Sequence, residues 1–169
     1  MSYTIHTTEG LVLSYRPLRE ADRVYSILTK DLGLIRATAT GVRKGHSKLR
    51  GLLEPISFVS VSLVRGKEYW RITSAEFIKT ILSTPEILKP LILLEKLVQG
   101  EAPNPELFEA TREILARTVL ASRDEMFEIH FVSQILFHLG YLKEVDLKLP
   151  KKDLIKAINK GLEASHLAD

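Results

Sequence analysis

Residues 36–50 read RATATGVRKGHSKLR, with five Arg or Lys, one His, two Gly and no Asp or Glu. Side chains of one sign in a glycine-containing segment can neutralise a run of phosphates without reading sequence. Lys30, Arg36, Arg43, Lys44, His46, Lys48 and Arg50 are the candidate phosphate contacts. His46 adds charge when protonated. Gly41 and Gly45 remove side-chain bulk, so the backbone can approach a ligand closely. Ser47 can donate to a phosphate or N-cap a short helix over Lys48–Leu53. The competing reading is an ordinary solvated turn.

Two further cationic groups stand nearby in the sequence. Arg16, Arg19 and Arg23 surround Glu20 and Asp22, so local ion pairing competes with a binding role. Arg65, Lys67 and Arg71 flank a turn and would extend a positive face. Tyr15, Tyr69 and Trp70 could stack on bases, although aromatics on short strands more often pack in the sheet. Alternation places Tyr69 and Trp70 on opposite faces.

Other chemistries find little support. Cysteine is absent, which excludes disulfides and Cys-based zinc or redox sites and is compatible with a reducing compartment. The five histidines are scattered, and His130 and His138 lie two helical turns apart, so no metal and no cofactor are expected. Glu95, Glu101, Glu106, Glu109, Glu113, Asp124, Glu125 and Glu128 read as helix-decorating carboxylates and not as a metal-dependent cleavage site. No phosphate-binding glycine loop of nucleotide type and no G-x-S-x-G occurs. No apolar run approaches the ~20 residues that span a bilayer. MSYTIHTTEG has neither a basic n-region nor an apolar h-region, so a cytoplasmic location without membrane association is expected.

The elements that must hold these residues fall into two parts. Residues 1–80 carry 13 Arg+Lys against 7 Asp+Glu, a net of +6; residues 81–169 carry 11 against 14, a net of −3. Opposite charge suggests that one part faces a polyanion and the other faces protein. The first part reads as strands. Val12, Leu13, Tyr15 and Leu18 mark a first strand and its exit; Val24–Thr29 and Leu34–Thr40 flank a turn at 30–33. Ile35, Ala37 and Ala39 alternate with Arg36, Thr38 and Thr40. Phe58–Val64 and a strand opening at Tyr69–Ile72 flank a turn over Arg65–Glu68. Five short antiparallel strands in about 75 residues suit a small barrel, whose closure removes edges.

From residue 77 the period is helical. Thr84 and Pro85 signal a helix over Ile87–Leu97, which Pro90 would kink or divide. Asn104–Pro105 precedes a helix over Leu107–Leu120. Ser122 with Glu125 suggests a capping box before Met126–Leu139, and Gly140 stops that helix. A last helix is expected over about Lys152–Leu162. Leu91, Leu93, Leu94 and Leu97 should meet Leu115, Phe127, Phe131, Ile135 and Leu139 in a small core.

These pieces together resemble a known family. Glu9-Gly10-Leu11-Val12-Leu13, Glu20 with Asp22-Arg23, Thr29 with Gly33, Gly41-Val42-Arg43-Lys44, Ser47-Lys48-Leu49 and Leu53-Glu54-Pro55 occur in an order similar to that of the bacterial recombination mediator family RecO. Val61–Lys67, Ile72–Glu76, Leu91–Leu97, Asn104-Pro105-Glu106-Leu107-Phe108 and Phe137-His138-Leu139-Gly140-Tyr141 extend the resemblance over about residues 3–148. It implies an α+β, two-domain chain: a five-stranded oligonucleotide-binding (OB) β-barrel over 1–78, then an all-helical domain over 79–169. It also implies a non-enzymatic factor that binds single- and double-stranded DNA and anneals strands. RecR, the C-terminal tail of single-strand-binding protein and, indirectly, RecA are the implied partners. The family usually continues further, often through a Cys₄ zinc insertion, whereas this chain has 29 residues after Gly140 and resembles a truncated or minimal member.

A tail with apolar end residues needs an apolar pocket with a basic rim. Lys96, Arg112, Arg117 and Arg123 are rim candidates, with Leu93, Phe108 and Leu115 as walls or simply core. Rival accounts are an RNA-binding or translation-associated OB protein, a nuclease, and a structural adaptor without nucleic-acid binding. Competition between matched DNA and RNA, chelation of metal, and the absence of salt-dependent binding would separate them.

Overall fold

A computed structural model describes residues 4–117 and 125–165. The chain divides into two compact units. The first comprises Met1–Leu82 with Gln99–Pro105; the second comprises Ser83–Val98 with Glu106–Asp169. Residues 99–105 thus fold with the sheet, although they lie inside the helical half of the sequence.

The sheet unit contains β1 (Ile5–Pro17), β2 (Arg23–Thr29), β3 (Gly33–Ala39), β4 (Ser57–Arg65) and β5 (Trp70–Thr80). Their spatial order is β1-β2-β3-β5-β4, and β4 returns to β1. The expectation of five short antiparallel strands in an OB barrel needs correction on two counts. The sheet is mixed, because β3 and β5 run parallel. The ring is also bonded unevenly, with only Ala37↔Trp70 and Thr38↔Arg71 joining β3 to β5. The reason is arithmetic: strand directions cannot alternate all the way round a ring of odd number. One neighbouring pair must be parallel. Two strands are also longer than expected, with 13 residues in β1 and 11 in β5. β1 pairs with β4 through Ile5–Val12 and with β2 through Gly10–Pro17, so one strand serves two neighbours.

Alternation sets the barrel core. Ile35, Ala37 and Ala39 point inward and are buried, while Arg36 and Thr40 are exposed and Thr38 is half-buried. Val12, Tyr25, Ile27, Val59, Val61, Leu63, Trp70 and Ile72 complete this cluster, joined by Val42 and Leu53 from the β3–β4 connection. Each fully buried aliphatic side chain contributes about 1.5–3 kcal/mol.

The β2–β3 turn forms where expected. Thr29 Oγ1 donates to the Gly33 carbonyl at 2.8 Å and accepts from Leu32 N–H at 3.1 Å. Gly33 has φ +74°, and a Cβ there would lie 2.5 Å from the Ala102 carbonyl oxygen. Leu34 N–H donates to the Gly100 carbonyl at 3.2 Å, so the 99–105 segment is laid against this turn.

The second unit contains α1 (Pro85–Leu97), α2 (Pro105–Arg117), α3 (Glu125–His138) and α4 (Lys151–Ala164). α1 packs on α3, and α3 on α4. Pro90 leaves α1 undivided. Thr84 occupies the N-cap of α1 but makes no side-chain capping bond; its carbonyl accepts from Ile87 and Leu88 N–H. Gly140, with φ +83°, ends α3 in a left-handed cap in which Tyr141 N–H donates to the Leu136 carbonyl at 2.8 Å. Ser122 and the expected continuation of α2 to Leu120 lie outside the described residues.

Two stability effects follow. Gly33→Ala should lower unfolding stability by roughly 1–3 kcal/mol from the left-handed backbone alone, with the Ala102 clash added; chemical denaturation measures it. Burial lowers the His138 imidazole below its ordinary value, opposed by the Glu106 carboxylate. The unfolded chain therefore takes up the proton first as pH falls. Stability is full above about pH 6.5 and declines below it, levelling off beneath the folded-state pKa. Urea midpoints at pH 7.5 and 5.5 should differ less for His138→Gln than for the unsubstituted chain.

Candidate nucleic-acid interface

The β3–β4 connection is not an unstructured loop. It is a series of turns pinned at both ends by apolar side chains, with Val42 and Leu53 fully buried in the barrel core. Backbone bonds fix its start: Gly41 N–H donates to Asp22 Oδ1 at 2.8 Å, and Arg43 N–H to the Ala21 carbonyl at 3.0 Å. Gly41 adopts φ +67°, which lets the chain turn directly out of β3. No helix forms over 48–53, so Ser47 caps none; Leu53 N–H closes one turn onto the Leu49 carbonyl at 3.1 Å.

Anchoring the apolar residues inward turns the cations outward. Arg43, Lys44, His46, Lys48 and Arg50 are all exposed. Among the described residues none of the five makes a side-chain hydrogen bond or an ion pair. Their charge is left for a solvent-side ligand.

The bonds to Ala21 and Asp22 bring this connection beside the β1–β2 loop. A hollow of about 350 Å³ opens there, lined by Leu18, Arg19 and Asp22 from that loop, Thr38 and Thr40 from the end of β3, Gly66–Tyr69 from the β4–β5 turn and Arg71 from the start of β5. The parallel β3–β5 contact sets Arg71 beside Thr38. Arg19, Lys67 and Arg71 are therefore gathered from three separate segments, with Asp22 and Glu68 as the opposing carboxylates. Arg16 donates to the Tyr69 hydroxyl at 3.1 Å and braces the turn.

The other cations have different surroundings. Lys30 lies at the opposite end of β3 from the 41–56 connection, a strand length of about 20 Å away. Arg36 projects from the outer face of β3, opposite Ser26 of β2. Arg23 lies over the Tyr15 ring, 4.0 Å from its centroid, beside the Tyr25 hydroxyl. Burial pushes the Tyr25 phenol up, partly opposed by Arg23. Arg65 pairs with Glu101 at 2.5 Å and lies 4.9 Å from the Trp70 ring centroid. Trp70 is buried, and its indole N–H donates to Glu101 at 3.1 Å, so its ring belongs to the core and not to a stacking surface. Tyr15 offers a face already occupied by Arg23.

Glu101 is the residue sequence reasoning misplaced. It lies not on a helix but in the 99–105 segment, 36 residues from Arg65, and no local pattern pairs the two. Thr38, Thr40 and Glu68 were not read as site residues, because only the closed ring brings them together.

In the helical unit, Phe108 and Leu115 are fully buried core residues. Arg112 pairs with Glu109 and Arg117 with Glu113 at 3.8 Å, each within α2. Lys96 is exposed at the end of α1, and Arg123 lies outside the described residues. The apolar groove runs elsewhere: Leu93 of α1, Ile129 and Val132 of α3, and Ile155, Ile158 and Leu162 of α4 line about 410 Å³. Lys89–Glu128 (3.5 Å) and Lys151–Glu125 (2.8 Å) pair at its margin. Among the described residues no cluster of His, Asp and Glu suits a metal ion, and no helix is long and apolar enough to cross a membrane.

The β1–β2 loop and the β4–β5 turn of the five-stranded ring thus frame a polar hollow. Residues 1–81 match the family model for the N-terminal domain of recombination protein O, and through this half the chain belongs to that family. The chain is 34% identical over 145 residues to a DNA repair protein RecO of Dehalococcoides mccartyi, covering 82% of this chain and 57% of that protein. It is 33% identical to the DNA repair protein RecO of Gloeothece citriformis, covering 82% and 51%. Over 74 residues it is 40% identical to the DNA repair protein RecO of Frankia casuarinae, covering 44% and 30%. The chain thus spans little more than half the length of the longer-matching relatives.

Proposed function

We propose that this chain is a non-enzymatic, DNA-binding recombination mediator. The observation that carries the reading is the set of exposed cations on the 41–50 turns, without side-chain partners among the described residues, adjoining the hollow of Arg19, Lys67 and Arg71. Exposed cations exchange condensed counterions for phosphates, and the released ions drive binding. Such contacts suit single- and double-stranded DNA alike, because they touch the backbone and leave base edges open. Two strands neutralised on one surface repel each other less, which favours annealing of complementary sequences. The role requires no nucleophile and no bound metal.

Membership of the family supports the finer reading: the chain helps load RecA on single strands coated by single-strand-binding protein, acting with RecR. The apolar groove of the helical unit suits the end of that protein's acidic tail, with Lys89 at its margin. The proposed division of labour is that the sheet unit, Met1–Leu82 with Gln99–Pro105, holds DNA and the helical unit recruits protein.

Replacing Arg43, Lys44 and Lys48 together with Ala should weaken DNA binding and lower the slope of log affinity against log salt by about two to three. Fluorescence anisotropy of labelled strands, titrated over salt, measures both quantities. An unchanged slope would remove the turns from the interface, and preference for matched RNA over DNA would assign the chain to RNA instead.

A further inference from the structure

We propose that Arg65 is a concealed phosphodiester site and that the Glu101 carboxylate occupies it while no nucleic acid is bound. This rests on the DNA-binding reading above and adds a switch to it.

The contacts are specific. Glu101 Oε2 accepts from Arg65 Nη1 at 2.5 Å, and Glu101 Oε1 accepts from the Trp70 indole N–H at 3.1 Å. The guanidinium also lies near the Trp70 ring. Both partners are nevertheless open to water, with side-chain exposures of 58% and 42%. An exposed ion pair of this kind is weakly held, so a polymer carrying many phosphates can displace it. A carboxylate and a phosphodiester each offer a guanidinium one negative charge shared between two oxygens. Glu101 is therefore a surrogate for the ligand.

The carrier of Glu101 is held in place by other means. Residues 99–105 belong to the sheet unit, Gly100 accepts from Leu34 N–H, and Ala102 lies against Gly33. Release of Arg65 thus needs only a side-chain rotation of Glu101 or Arg65. Arg65 ends β4, one residue before the Gly66–Tyr69 turn that lines the cationic hollow.

The test is a double-substitution cycle on the full chain. Glu101→Gln keeps an acceptor for the indole and removes the charge. It should raise affinity for single-stranded DNA roughly threefold or more at low salt and steepen the salt slope by about 0.7. Arg65→Ala should change affinity little on its own, and it should abolish the gain when combined with Glu101→Gln. Trp70 is the sole tryptophan, so its emission supplies a second readout that needs no variant: DNA should shift it in the unsubstituted chain. No tightening by Glu101→Gln overturns the proposal. An equal gain with and without Arg65 also overturns it, since that is the effect of a charge removed anywhere. A tryptophan signal indifferent to bound DNA does the same, even if Glu101→Gln fails to fold. In each of these cases DNA binding by the unsubstituted chain survives; absence of that binding overturns both readings together.

Discussion

The sheet unit depends on one geometric constraint: five strands closed into a ring must include a parallel neighbour. Here that neighbour is the β3–β5 seam, and it is two residue pairs long. Its shortness makes the side chains at the seam decisive. Trp70 fills the inside of it as part of the barrel core, and Arg71 and Thr38 cap the outside. The same seam brings the end of β3 to the β4–β5 turn, which is how a hollow arises from segments far apart in the chain.

Charge is distributed around this seam by what the core demands. Val42 and Leu53 must be inside, and the short stretch between them has nowhere to go but outward. Its cations are exposed for that reason, and leaving them without internal carboxylates keeps their counterions exchangeable. The acidic groups near the candidate interface are few and well defined. Asp22 is occupied by the Gly41 N–H, Glu68 lines the hollow, and Glu101 faces Arg65. Net charge alone would rate all thirteen cations of residues 1–80 equally; geometry separates those that are free to meet a polyanion from those already engaged.

Much of the architecture was legible because it is written in short-range patterns. The 30–33 turn follows from Gly33 and the Thr29 hydroxyl, α1 begins at Pro85, and Gly140 ends α3 with a positive φ. The basic character of 43–50 needed only its composition. Errors arose where remote residues compete. Trp70 was a stacking candidate until the barrel buried it, Phe108 and Leu115 were potential groove walls until helix packing made them core, and Glu101 was a helix ornament until the 99–105 segment joined the sheet. The all-antiparallel barrel fell to parity, which no local pattern expresses.

The sequence by itself determined the order of strands and helices, the turns between them and the sign of the exposed segment, because each depends on neighbours a few residues apart through dihedral preference, alternation and capping. Only the tertiary structure decided which cations share a hollow, which aromatic is buried and which carboxylate holds Arg65. Those outcomes depend on ring closure and on the 99–105 segment folding with the sheet, which bring residues 30 or more positions apart to within hydrogen-bond distance, and separation along the chain carries no record of it.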